Sequence, residues 1–211
     1  CTKCYNANMN LKVLVLSGYA RSGKDSLYDG LRANDERFER IAFADALKDD
    51  IDPFLRQHVG ISAWTTDNGE KAIIRPMLVA YGEAMRAVNA DYWLNKGLDK
   101  VDEYSGRVYV FTDARYENEI FGIQKRFPTV SKTIRIKREG NSPANNEEIV
   151  SFALIDSNIE FDKEITIPSI DDKLKETLGS HSEYREKRDA LISDEFKSIA
   201  KKIIEEVING E

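Results

Sequence analysis

Short apolar segments alternate along this chain with longer segments in which apolar residues recur every three or four positions. Near-continuous apolar runs, such as VLVL at 13–16, are typical of strands that are buried on both faces of a parallel sheet. The pattern predicts five strands, at residues 11–17, 38–44, 107–112, 129–136 and 164–167. Strands that alternate with helices indicate βαβ units. We therefore expect an α/β fold with a mainly parallel five-stranded sheet flanked by helices.

The helical pattern fills most of the connections between these strands. One helix is predicted at 24–33. A second begins with the acidic segment 45–50 and is predicted to restart at Asp52, the N-cap, and Pro53, the first helical residue. A stripe with three- and four-residue spacing consists of Ile74, Met77, Leu78, Tyr81, Met85 and Val88. Further helices are predicted from Asp91 onward and at 118–126, 147–154 and 171–178.

A final amphipathic helix is predicted to begin with Ser193 as its N-cap and to end at Asn209 and Gly210. Its buried face comprises Ile192, Phe196, Ile199, Ile203 and Val207. We expect this helix to pack on the core. The first residues are polar and are predicted to form a disordered leader at 1–10. We find no internal repeat, and residues 11–211 are predicted to form a single domain.

The composition is that of a soluble globular protein of 211 residues, with a net charge of −6. The acidic charge argues against stable binding to a nucleic-acid backbone. No apolar run approaches the roughly 20 residues of a membrane span, and no signal peptide is visible. The chain has two cysteines, Cys1 and Cys4, and a zinc site is not expected because the histidines lie far away in sequence. These features predict a cytoplasmic protein without a disulfide framework.

The segment GYARSGK at 18–24 has the G-x-x-x-x-G-K spacing of a phosphate-binding loop between a strand and a helix. Glycines allow the loop N–H groups to point at a phosphate, and the helix adds its positive N-terminal end. Asp25 stands where a Ser or Thr usually ligates Mg²⁺, and the nearest hydroxyl is that of Ser26. An ordinary glycine turn is the alternative interpretation. The residues of this predicted phosphate site are Gly18, Arg21, Ser22, Gly23, Lys24, Asp25 and Ser26.

Asp113 follows an apolar strand and is expected at the same edge of the sheet as the loop, because ligands bind at the carboxyl ends of parallel strands. A carboxylate there can reach Mg²⁺ directly or through water. A simple strand-end cap is the alternative. Arg115 follows two residues later and adds a cation beside the same loop.

Arg75 and Arg86 lie about three helical turns apart on one face of a predicted helix. With Tyr81 and the segment 91–93 they could form a pocket, with guanidinium groups for a phosphate and aromatic rings for a base. Tyr92 and Trp93 are equally compatible with core positions. Arg135, Lys137 and Arg138 lead into the flexible segment 138–146, which could close over a nucleotide and exclude water; a solvated basic strand edge is the alternative.

Four segments in this order resemble the deoxynucleoside monophosphate kinases of tailed bacteriophages: SGYARSGKDS, FADALKDD, the stretch from Arg75 to Trp93, and FTDARYENE. That family belongs to the nucleoside monophosphate kinase branch of P-loop proteins, near dephospho-coenzyme A kinase. The resemblance spans about residues 11–178. The family shares GKD in place of GK[ST], and the block V-x-T-D-x-R-x-x-N-E at 110–119 is its more specific part.

The resemblance implies a three-layer P-loop kinase fold with an acceptor-binding region at about 45–105 and a lid at about 138–154. It implies in-line, Mg²⁺-assisted transfer of the ATP γ-phosphoryl group to a deoxynucleoside 5′-monophosphate. The implied catalytic residues are Lys24, Arg75, Arg115 and Arg138. The implied acceptor ligands are Asp45, Arg75, Tyr81, Glu83, Arg86, Trp93 and Asp113, and those of Mg²⁺ are Asp25, Ser26 and Asp113. The family also admits a homodimer in the cytoplasm of the phage host.

Other functions fit parts of the same pattern. Another small-molecule kinase, such as one acting on dephospho-coenzyme A, would share the loop and the fold. A nucleotide-binding sensor or ATPase would bind ATP without transferring phosphate to an acceptor, and an inactive relative would keep only the fold.

The adenine contacts stay open, because Ile167, Pro168 and Ser169 replace the Asn- or Gly-containing turn that the family usually has after its fifth strand.

Overall fold

A computed structural model describes residues 12–168, 181–208 and 210, and for residues 181–189 it describes the backbone alone. The predicted leader, both cysteines, the predicted helix 171–178 and Asn209 lie outside the described residues. Within the described part of the chain, no helix is long and apolar enough to cross a membrane.

The centre of the structure is an all-parallel sheet of five strands in the order β2-β3-β1-β4-β5. The strands are β1 (Lys12–Ser17), β2 (Phe38–Ile41), β3 (Val108–Ala114), β4 (Ser131–Arg138) and β5 (Lys163–Ile167). Val15 on β1 stands in register with Phe111 on β3 and with Thr133 on β4. The predicted α/β class, the strand number and the parallel sheet are confirmed.

Seven helices and a short π-helical turn are present among the described residues. They are α1 (Lys24–Asn34), α2 (Phe43–His58), α3 (Asn68–Val88), α4 (Tyr92–Leu98), α5 (Glu117–Arg126), α6 (Asn146–Asn158), α7 (His181–Ile203) and the turn Ile204–Ile208. Helix α3 begins at an Asp67 N-cap, whose side chain accepts a hydrogen bond from the Glu70 N–H at 2.9 Å.

Several predicted boundaries are wrong. Strand β2 ends at Ile41 because α2 already begins at Phe43, and β3 continues through Asp113 to Ala114. Helix α2 does not restart at Pro53 but runs through it. At the end of the predicted stripe on α3, the Val88 side chain is not buried but 84% exposed.

The C-terminal helix also begins earlier than predicted, since Ser193 lies inside α7 rather than at its N-terminus. Its predicted buried face is confirmed. Phe196 and Ile203 are buried in the same core cluster as Leu14 and Leu27, and the other members, Ile192, Ile199 and Val207, pack against that cluster. The helix therefore covers one face of the sheet together with α1.

The described chain divides into two compact units. The first contains the residues up to Arg40 and those from Glu103 onward, and thus most of the sheet. The second, Ile41–Asp102, has a small core of its own around Ile51, Leu55, Ala63 and Ile74. The predicted domain limits, including the acceptor-binding region and the lid, stay predictions.

Candidate active site

The loop between β1 and α1 has a backbone that requires glycine at both ends. A Cβ atom at Gly18 would overlap the carbonyl oxygen of Ile136 on β4. Gly23 has a φ of +99°, in the left-handed region that favours glycine, and a Cβ there would lie 2.6 Å from Cζ of Phe196. Gly18 is thus required by the close approach of the β4 backbone, and Gly23 by its left-handed backbone conformation.

The loop turns back on itself between these glycines. The N–H of Ser22 donates a hydrogen bond to the Tyr19 carbonyl at 3.1 Å. Arg21 has a φ of +63°, and it is the one non-glycine residue with positive φ among the described residues. Left-handed backbone in such a residue costs about 1–2 kcal/mol, and strain of this kind clusters at functional sites. This backbone conformation is compatible with a phosphate-binding loop, and that role stays a prediction.

Lys24 extends back over this loop instead of into solvent. Its Nζ donates to the carbonyl oxygens of Gly18 at 2.6 Å and Tyr19 at 2.8 Å, and it lies 3.4 Å from Ser22 Oγ. The residue is only 7% exposed. The ammonium group is thus held at the opening of the loop by carbonyl oxygens. The oxygens of a bound anion could replace these carbonyls as hydrogen-bond acceptors.

The charge of Lys24 is affected by its neighbours. Burial, followed by the nearby Arg115 guanidinium, lowers the pKa of Lys24 from 10.5 to about 8, and the carboxylates of Asp25, Glu148 and Asp113 act in the opposite direction. These groups therefore lie close enough to Lys24 to interact with it electrostatically. The structure brings together the predicted residues Lys24, Asp25, Asp113 and Arg115.

The predicted Mg²⁺ ligands lie around the start of α1 and the end of β3. The Asp25 side chain is 81% exposed and lies 3.8 Å from Nε of Arg40, whereas Ser26 and Asp113 are partly buried. Among the described residues, no cluster of three or more His, Cys, Asp or Glu side chains could hold a metal ion by itself. This sparse oxygen donor set fits Mg²⁺, which usually keeps several waters and binds through one or two protein ligands plus substrate phosphates.

Arg115 and Arg138 approach the loop from two other strands. The Arg115 backbone is fixed on both sides, because its N–H donates to Glu119 Oε2 at 2.8 Å and its carbonyl accepts a hydrogen bond from Ser151 Oγ. Arg115 as a whole is exposed. Nη1 of Arg138 lies 3.5 Å from the Arg21 carbonyl oxygen. Both predicted cations therefore lie near the phosphate loop, Arg115 directly after β3 and Arg138 at the end of β4.

Two charged residues beside the loop are buried, which the sequence did not lead us to predict. Arg135 on β4 is buried, pairs with Asp156 at 3.1 Å and stacks 4.3 Å from the ring centroid of Phe152. Glu148 on α6 accepts a hydrogen bond from the N–H of Ala20. The sequence contains no local signal for Glu148, because its partner is far away in the chain. For Arg135, a basic residue inside the apolar stretch TIRI was a usable signal.

The predicted acceptor ligands lie in the second unit, except for Asp113. Trp93 is only 1% exposed, and its Nε1 donates to the Gly82 carbonyl at 3.1 Å. Its ring meets Tyr81 edge-on, at 5.9 Å between ring centroids. Burial, followed by the charge of Asp50, raises the pKa of Tyr81. A ligand could contact the Trp93 ring only after a rearrangement, and its acceptor role stays a prediction.

The remaining acceptor candidates of the second unit are less buried. Arg75 and Glu83 are exposed on α3, and Arg86 is partly buried on the last turn of the same helix. Asp45 lies in the first turn of α2, 3.8 Å from Nζ of Lys48. Their roles also stay predictions.

No protein-family model matches the chain, and no match was found among curated proteins. Among solved structures, the chain is similar to a sugar kinase from Janibacter sp. HTCC2649, with 13% identity over 75% of this chain and 85% of that one and a TM-score of 0.35. It is also similar to dephospho-CoA kinase from Campylobacter jejuni, with 14% identity over 89% of this chain and 98% of that one and a TM-score of 0.37. With TM-scores this low, these matches do not assign a function to the chain.

Proposed function

We propose that this chain is a P-loop small-molecule kinase that transfers the γ-phosphoryl group of ATP to a deoxynucleoside 5′-monophosphate. The observation that carries the proposal is the loop at 18–24, in which two glycines that the backbone requires precede a buried lysine. The ammonium of Lys24 is held by two loop carbonyls, at the position where the G-x-x-x-x-G-K motif places the outer phosphates of a nucleotide. The resemblance of four sequence segments to phage deoxynucleoside monophosphate kinases supports the acceptor.

The transfer needs no covalent enzyme intermediate. A phosphate oxygen of the acceptor forms a bond to the γ-phosphorus while the bond from that phosphorus to the β–γ bridging oxygen breaks, and ADP leaves with the electron pair. In this proposal the loop N–H groups and Lys24 bind the ATP phosphates, and Arg115 and Arg138 neutralise the charge that spreads over the transferring group. Mg²⁺, held by Ser26 and Asp113 with Asp25 near it, would neutralise phosphate charge when bound.

The central test is replacement of the loop lysine. We expect Lys24→Ala to lower acceptor-dependent ADP release by a factor on the order of 10² to 10³, because the transition state loses a preorganised cation. Lys125→Ala, which removes an exposed lysine on α5, is the matched control and should retain normal turnover. Near-normal turnover of a folded Lys24→Ala protein would rule out the kinase proposal.

The acceptor is identified by assaying the unaltered protein with a panel. The panel contains dTMP, dGMP, dCMP, dAMP, modified pyrimidine monophosphates and dephospho-coenzyme A. We expect phosphorylation of at least one deoxynucleoside monophosphate. Transfer to dephospho-coenzyme A alone would assign the chain to the alternative kinase class, and ATP hydrolysis that no acceptor stimulates would indicate an ATPase or sensor.

Arg75 is proposed as a ligand of the acceptor phosphate, together with Arg86 and the other predicted residues of the second unit. We expect Arg75→Ala to raise the KM for the acceptor by roughly tenfold or more, since a charge-assisted pair to phosphate is lost, while the KM for ATP stays unchanged. Lys71→Ala, one turn earlier on the exposed surface of α3, is the control. An unchanged acceptor KM would exclude Arg75 from the acceptor site.

A further inference from the structure

Ala20 lies in the middle of the phosphate loop. Its N–H and its carbonyl oxygen both form hydrogen bonds with the chain segment that follows β4. The Ala20 carbonyl accepts a hydrogen bond from Nδ2 of Asn141 at 3.0 Å. Its N–H donates to Oε1 of Glu148 at 2.7 Å. Asn141 belongs to the connection between β4 and α6, which we call the strap (residues 139–145), and Glu148 lies in the first turn of α6.

Glu148 is held tightly in this position. Its second carboxylate oxygen accepts a hydrogen bond from the N–H of Ala144 in the strap at 2.7 Å, and its own N–H donates to the Asn145 N-cap at 2.8 Å. The residue is only 6% exposed. A buried carboxylate needs such partners, and hydrogen bonds that it accepts from N–H groups are shorter and stronger than neutral ones. Glu148 therefore ties the strap and the phosphate loop together.

Helix α6 makes a second contact with the same loop. One turn after Glu148, the Phe152 ring meets Tyr19 edge-on, at 4.9 Å between ring centroids. Tyr19 is also one of the two residues whose carbonyl oxygens hold Lys24 Nζ. Helix α6 thus fixes two consecutive loop residues, one through an aromatic contact and one through a carboxylate.

We propose that Glu148 is a positioning residue that preforms the phosphate loop for anion binding; this role rests on the proposed kinase function. A loop already fixed at Ala20 loses less conformational freedom when phosphate binds, and preorganisation of this kind strengthens binding without a new contact to the ligand. The carboxylate acts through the loop backbone and does not itself touch the nucleotide. Its length is essential, since it spans from α6 to both the strap and the loop.

Four variants separate this role from general packing. Glu148→Ala removes the tie, and Glu148→Asp keeps the charge but withdraws the carboxylate by one methylene group. Glu148→Gln keeps the length and one acceptor oxygen. Glu147→Ala is the matched control, because Glu147 is the exposed neighbour whose carboxylate accepts a hydrogen bond from the Tyr116 hydroxyl rather than from the phosphate loop.

The first measurement is the Kd for MgATP by titration calorimetry, with the melting temperature of each variant recorded. We expect Glu148→Ala and Glu148→Asp to weaken binding by on the order of tenfold, and Glu148→Gln by about threefold, because one or both hydrogen bonds are lost. Glu147→Ala should bind as the unaltered protein does. The second measurement is amide hydrogen exchange of residues 18–24 without nucleotide, which should be faster in Glu148→Ala and Glu148→Asp.

The outcomes distinguish this inference from the proposed function. If the variants bind MgATP as the unaltered protein does and loop exchange is unchanged, Glu148 is not a positioning residue, even where phosphoryl transfer occurs. If loop exchange and MgATP affinity change as expected but no acceptor is phosphorylated, the positioning role stands and the kinase proposal fails. If Glu148→Ala does not fold, Glu148→Asp and Glu148→Gln decide the question by the same criteria.

Discussion

At the residue scale, Lys24 combines a positive charge with almost complete burial. The lowered pKa of about 8 means that the group is still mainly charged at neutral pH, although burial disfavours that state. The shift from 10.5 corresponds to a free-energy cost of about 3 kcal/mol at neutral pH. In the proposed kinase, a phosphate that replaces the loop carbonyls as the partner of Lys24 would remove part of this cost.

The shifted pKa of Lys24 predicts how stability depends on pH. Between about pH 8 and 10.5 the unfolded chain binds more protons at Lys24 than the folded protein does, so the free energy of unfolding rises with pH there. Lys24→Met lacks this contribution. We expect the stability of the unaltered protein relative to Lys24→Met to increase by about 2 kcal/mol between pH 7 and pH 10. Urea unfolding of both proteins at several pH values measures it, and a constant difference would contradict the burial of the charged group.

Single residues were predicted where their signal is local. Gly18, Gly23 and Lys24 are recognisable because the loop conformation fixes their spacing within seven positions of the sequence. Glu148 was missed because its partner Ala20 lies 128 residues earlier, and a glutamate in a polar segment has the ordinary appearance of a solvated residue. Conversely, the burial of Trp93 was left open because an aromatic residue on a helix fits a pocket and a core equally well.

At the element scale, the close contact between α1 and α7 makes a glycine inside a helix more stabilising than alanine. Replacing a glycine inside a helix with alanine normally stabilises it by about 1 kcal/mol. At Gly30, however, a Cβ atom would lie 2.6 Å from the backbone oxygen of Phe196 on α7. We expect Gly30→Ala to destabilise the protein by about 1–3 kcal/mol, because two helix backbones must separate.

The control for Gly30 is Gly82→Ala on α3. Its added Cβ would come closest to Cδ1 at the end of the flexible Leu47 side chain, at 2.8 Å, which can move aside, and would lie 3.6 Å from Nη1 of Arg86. This variant should change the free energy of unfolding by less than about 1 kcal/mol. Chemical denaturation of both variants checks the pair, and equal stability of Gly30→Ala and the unaltered protein would contradict the close packing of α1 on α7.

Helices and strands were predictable where burial requires a recognisable pattern of apolar residues. All five strands were found, because strands covered on both faces of a parallel sheet have nearly continuous apolar runs. The errors at Pro53 and Ser193 have a common cause. Both residue types favour the first turn of a helix, but helix α2 runs through Pro53 and α7 runs through Ser193, so tertiary packing overrides the local preference.

At the scale of the whole molecule, the sheet core depends on α7 and the turn that follows it. These elements contribute the buried residues Phe196, Ala200, Ile203 and Ile208 to one cluster with β1, β3 and β4. Burial of a large apolar side chain contributes about 1.5–3 kcal/mol, and total stability is typically about 5–15 kcal/mol. A chain without residues 181–211 is therefore expected to lose most of its stability.

We expect this truncated chain to show no cooperative urea transition by circular dichroism. Phe196→Ala, which removes one side chain from the same cluster, should fold but be less stable by about 3–5 kcal/mol. A truncated chain that unfolds cooperatively at the midpoint of the full chain would show that α7 is dispensable for the sheet.

The packing of Phe196 against Gly23 affects when the phosphate loop can fold during synthesis of the chain. The ribosome synthesises the phosphate loop early and Phe196 about 170 residues later, which takes on the order of ten seconds. Until then, the ring that backs Gly23 is missing from the nascent chain. We therefore expect the loop to reach its folded conformation, and with it the proposed nucleotide site, only after α7 has been synthesised.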